Sequence, residues 1–106
     1  MESKEYRLKF TSQAEVDLDE VYEYITHHLF APETAENLMD KIETSIMRLK
    51  VFPYACSFVL DEPLKKRGYR KLIVDNYIVF YLVNEQERQV IIMRILYGAS
   101  NYQTIL

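Results

Sequence analysis

Five cations crowd into seven positions of the chain: Lys65, Lys66, Arg67, Arg70 and Lys71. A cluster of this kind can hold an anion, either phosphate or the carboxylates of an acidic partner. It can equally be a solvated loop running into the charged guard of a sheet edge. Arg94 stands apart, inside an apolar run. A guanidinium there either pairs with a structural acid or stabilises charge on a substrate. Tyr97 and Tyr102 follow it. A phenol titrates near pH ~10 and needs a cationic neighbour before it can serve as a base. These two belong to a set of nine tyrosines, a residue that usually packs in a core with its hydroxyl satisfied.

Other chemistries find little material. His27 and His28 are adjacent near a helix end, so they cannot both face one site and read as a surface pair. Cys56 is the only cysteine, with no spaced partner for zinc and no local nucleophile context. With two glycines, neither a G-x-G-x-x-G turn nor a P-loop is present. No metal site and no cofactor is expected.

The elements that must position these side chains are legible. Tyr6–Phe10 alternates apolar and charged, as a half-buried strand does. Ser12-Gln-Ala-Glu15 has the S-x-x-E form of a capping box, so a helix should start there. Ala14, Leu18, Val21, Tyr22, Ile25 and Leu29 form its apolar stripe, with the acids mostly on the solvent side. Pro32 suits the first turn of a second helix, whose stripe is Ala35, Leu38, Met39, Ile42, Ile46 and Leu49, and Pro53 marks its end. Residues 54–68 read as irregular. Strands follow at 69–74, 77–83 and 89–97, joined by short polar connections that make an antiparallel meander.

The fold class is therefore α+β in the order β-α-α-β-β-β: an antiparallel sheet with a helical hairpin packed on one face. At 106 residues the chain is one domain, 1–106. Strand 77–83 is apolar at both parities, whereas a hairpin covers only one face. Either the C-terminal tail covers the other face or a second protein does.

Composition bounds the rest. Apolar content of 49% and charged content of 27% are those of an ordinary soluble domain. The net charge of −3 hides an asymmetry: residues 1–43 carry eleven acids against four bases, and the remainder carries nine bases against five acids. A uniformly basic nucleic-acid binder is disfavoured, while a local anion-binding patch stays open. The charged N-terminus lacks a signal peptide's apolar run, and the apolar run Ile78–Val83 is too short to span a bilayer. A lone cysteine fits a reducing cytoplasm, with no membrane partner.

The ordered set of motifs resembles the RelE/ParE superfamily of bacterial toxins from toxin–antitoxin modules, in its ParE-like branch. The residues that carry the likeness begin with Ala14, Asp17, Leu18, Tyr24 and Ile25, then Ile46 and Leu49 leading into Phe52-Pro53. Arg70-Lys-Leu, Tyr77-Ile-Val-Phe-Tyr81 and Arg94-Ile-Leu-Tyr-Gly98 complete it. The resemblance implies a cytoplasmic toxin that stops growth unless a cognate antitoxin protein wraps it, with operator DNA bound only through that antitoxin. Ile78, Phe80 and Leu82 on the doubly apolar strand, with Arg67 and Arg70 of the basic cluster, are the expected antitoxin contacts.

Two mechanisms divide the superfamily. RelE-like members cut mRNA on the ribosome, and ParE-like members inhibit DNA gyrase. Metal-free RNA cleavage needs a base, an acid and cations around the phosphate. This chain departs at both arginine positions of the RelE-like pattern, with Ile78 at the first and Ser100 at the second. One such electrostatic contact is worth roughly 3–4 kcal/mol of barrier. The ParE-like resemblance implies binding to a protein target such as DNA gyrase, and that is the expected function. The alternatives are a ribosome-dependent endoribonuclease using Lys71, Arg94 and Tyr97, or a non-toxic remnant acting only in the antitoxin complex.

Overall fold

The computed structural model describes residues 5–100 and 102–106. The chain opens with β1 (Arg7–Phe10) and α1 (Ser12–Glu23), whose last turn widens into a π-helical segment over Tyr24–His28. Next come α2 (Pro32–Met47), a tight 3-10 turn over Arg48–Lys50, and the five-residue α3 (Glu62–Lys66). The meander β2 (Arg70–Val74), β3 (Tyr77–Asn84) and β4 (Gln89–Tyr97) precedes a short α4 (Tyr102–Ile105).

The first helix does begin at Ser12, but its cap is Thr11, one residue before the expected box. The Thr11 hydroxyl accepts from the Ala14 N–H at 3.0 Å and donates to the Met93 carbonyl at 2.8 Å. One side chain therefore satisfies an orphan helix donor and ties the helix start to β4, which Ser12 does not do. The stripe holds through Ile25 and fails at Leu29, which is 55% exposed. In the π-helical segment the Leu29 N–H bonds the Tyr24 carbonyl, five residues back. That extra residue per turn rotates Leu29 out of phase with the stripe.

The sheet order is β1-β4-β3-β2. The three later strands form the expected antiparallel meander. However, β1 joins β4 in parallel, pairing Leu8 with Val90 and Phe10 with Ile92, so the sheet is mixed. Alternation places Leu8 and Phe10 on the hairpin face whichever way β1 runs, and the meander behind it sets the direction.

Each face of the sheet has its own apolar cluster. The helical hairpin covers the first, with Ala14, Val21, Ile25, Leu38, Ile42 and Ile46 against Val79, Tyr81, Ile92 and Ile95. On the second face Val59, Leu64 and Tyr69 bury Phe80, with Tyr102 and Leu106 packed alongside. The doubly apolar strand is thus covered by its own chain, by both the 59–69 segment and the C-terminal tail. Strand alternation sends the adjacent Phe80 and Tyr81 to opposite faces, and a β-bulge falls on β4 beside them: Phe80 pairs with Arg94 and Tyr81 with Ile92, leaving Met93 between them. Within the stretch read as irregular, Asp61 caps α3 through the Leu64 N–H at 3.3 Å, and Gly68 at φ +89 turns the chain into β2.

Candidate functional site

Registry places Lys71, Phe80 and Arg94 in one row across β2, β3 and β4. Lys71 shares the second sheet face with Phe80, because directly paired residues point the same way. Lys71 is half-buried and has no ion pair among the described residues.

Arg94 is committed elsewhere. Its Nε donates to Asp17 Oδ2 at 2.7 Å and its Nη2 to Asp17 Oδ1 at 3.0 Å. The Ile95 N–H adds a third bond to the same carboxylate at 2.9 Å. These bonds, helped by the charges of Asp17 and Glu20, push the Arg94 pKa up despite its burial. Asp17, expected among the solvent-facing acids, has a side chain only 3% exposed. Burying it requires the partner that Arg94 provides. Its clue in the sequence was position: one turn after Ala14 and beside Leu18, on the flank of the stripe, with a lone arginine waiting in an apolar strand.

Tyr97 lies on the hairpin face, edge-on to its cross-strand partner Tyr77 at 5.7 Å between ring centres. Lys71, Arg94 and Tyr97 therefore do not converge. The first faces away from the hairpin, the second is clamped to α1, and the third sits over the other face. Ile78 and Ser100 carry no charge that would replace them.

The expected antitoxin contacts fare unevenly. Phe80 requires a correction: it is 0% exposed beneath Leu64, Tyr69 and Tyr102, so a partner reaches it only by displacing the chain's own cover. Ile78 and Leu82 border the same cluster and are half-buried. The Arg70 guanidinium lies over Phe58 at 4.0 Å and Tyr54 at 5.1 Å, and donates to the Cys56 carbonyl at 2.7 Å. It acts as a structural clamp more than as a free charge. Arg67 is exposed and stacks over Tyr69 at 5.0 Å. With Lys65 and Lys66 it makes a basic C-terminal turn on α3.

No group of three or more potential ligands that could hold a metal ion occurs among the described residues. No helix there is long and apolar enough to cross a membrane.

A mixed four-stranded sheet with a helical hairpin on one face defines a fold shared with solved toxin–antitoxin proteins. The chain matches one from the chromosomal ParDE toxin–antitoxin system of P. aeruginosa with a TM-score of 0.71 and 24% identity, covering 90% of this chain and 98% of that one. Against the RelBE2 toxin–antitoxin complex of Mycobacterium tuberculosis the TM-score is 0.61 and the identity 18%, covering 88% and 98%. No curated protein matches it in sequence. The profile of the ParE toxin of the type II toxin–antitoxin system parDE matches residues 8–102. The chain belongs to this family and is the toxin of a type II toxin–antitoxin system.

Proposed function

We propose that this toxin stops growth by binding a protein target, DNA gyrase, rather than by cutting RNA, and that a cytoplasmic antitoxin protein holds it inactive. The observation that carries the reading is the scattering of Lys71, Arg94 and Tyr97, with Arg94 neutralised by Asp17. A phosphoryl transition state needs several cations aimed at one point, and these are not. Surface recognition asks less: exposed apolar and charged groups of complementary sign.

The antitoxin surface we assign is the basic turn of α3 with Lys71, bordered by half-buried Ile78 and Leu82 and by exposed Ile73. An acidic segment with interspersed apolar residues matches it. Two of the similar solved structures come from toxin–antitoxin systems, which agrees with an antitoxin partner.

The test is induced expression without antitoxin, with DNA and protein synthesis followed by pulse labelling in one culture. An early halt of DNA synthesis while translation continues is expected. An early halt of translation with fragmented mRNA would overturn the proposal in favour of a ribosome-dependent nuclease.

A further inference from the structure

A cavity of about 720 Å³ opens between the tip of the helical hairpin and the β2–β3 turn. Its walls include Tyr24, Tyr77 and Tyr97, with Leu29, Lys41 and Asp75 at hand. The volume is that of a ligand site rather than a packing gap. The three phenols lie close enough to act on one another: burial first, then Tyr24 and Tyr97, raise the Tyr77 pKa. Tyr24, Tyr97 and Leu29 remain about half exposed, and Phe30 beside them is 84% exposed with φ at +52.

The wall of this aromatic hollow carries one carboxylate, Asp75, and one cation, Lys41. Exposed Glu23, Glu33 and Asp40 are each the chain neighbour of a lining residue. The cation of the wall, Lys41, is already engaged by Asp75 at 3.2 Å. That pair has side chains 60% and 51% exposed, so water screens it and a competing cation can exchange into it. Aromatic rings and a carboxylate around one hollow are what an organic cation binds, through the ring quadrupole and the charge together.

We propose that this cavity is a docking site for a basic protein segment, with an arginine or lysine side chain entering among Tyr24, Tyr77 and Tyr97 toward Asp75. The apolar rim at Leu29 and Phe30 meets the segment's apolar residues. The site is distinct from the basic α3 surface assigned to the antitoxin and recognises a partner of opposite charge. Its test does not depend on that assignment or on the identity of the toxin's target.

The experiment is a titration of the full chain, isotope-labelled at the tyrosine rings, with N-acetyl-arginine amide, followed by NMR at constant ionic strength. N-acetyl-norleucine amide and N-acetyl-glutamate amide serve as apolar and anionic controls. Saturable shifts at Tyr24, Tyr77 and Tyr97 with the arginine probe alone are expected. Asp75→Asn should weaken binding by about threefold, the size of one exposed charge contact. Asparagine tolerates the left-handed backbone of position 75, whose φ is +52, so the turn survives. Lys41→Gln removes the internal competitor and should strengthen binding. An equal or larger response to either control would overturn the proposal. So would the absence of saturation, or a folded Asp75→Asn variant that binds as well as the native chain.

Discussion

Asp17→Ala is expected to be among the most damaging single substitutions in this chain, although it removes only a few atoms from a helix face. The carboxylate accepts from Arg94 Nε and Nη2 and from the Ile95 N–H, at 2.7, 3.0 and 2.9 Å. Its loss strands a guanidinium and orphans a backbone donor between α1 and β4. Breaking a buried pair from one side costs about 3–5 kcal/mol. Arg94 retains 19% side-chain exposure and can recruit water, so the lower end, about 3 kcal/mol, applies. That is a large share of the roughly 5–15 kcal/mol stabilising an ordinary domain. With a urea slope of about 1–2 kcal/mol per molar, the midpoint should fall by about 1.5–3 M. The double variant Asp17→Leu with Arg94→Met removes both charges together and should lose markedly less than the two single changes summed. A single-variant loss below about 1 kcal/mol, or additivity in the double, would refute a structural ion pair and return Arg94 to the pool of functional cations.

Phe80→Ala should cost about 3–5 kcal/mol by cavity formation, read as a lower urea midpoint, rather than acting as an antitoxin-contact change. Conversely, Lys66→Glu with Lys71→Glu should leave the stability within about 0.5 kcal/mol and weaken antitoxin binding by calorimetry, with the effect shrinking in high salt. Alkaline stability has a definite sign. Burial first, then the neighbouring Cys56 thiol, raises the pKa of the Tyr81 hydroxyl above its ordinary 10.0. The folded chain therefore keeps a proton that the unfolded chain gives up, so stability is full below pH 10 and declines above it. Tyr81→Phe should flatten that decline in melting temperature, at a cost of about 1 kcal/mol for the lost bond to the Pro53 carbonyl.

Much of this was written locally. The stripes of α1 and α2 and the alternation of β1 depend on the periods of helix and strand, which a sequence displays directly. The absence of charge at Ile78 and Ser100 is equally plain, because a residue's chemistry does not depend on its fold. Other features came only from contacts between distant segments. Asp17 and Arg94 are 77 residues apart, and although each is conspicuous where it stands, only the fold pairs them. Thr11 outcompetes Ser12 as cap because β4 offers it a carbonyl. The parallel direction of β1 reflects the route of the whole chain, since one face of alternating side chains is buried equally well in either direction. Leu29 leaves the stripe through a one-residue widening of the helix. Periodicity states which faces are apolar, whereas pairing across the chain decides what each face meets, and so whether a charge such as Arg94 supports the fold or is free to act.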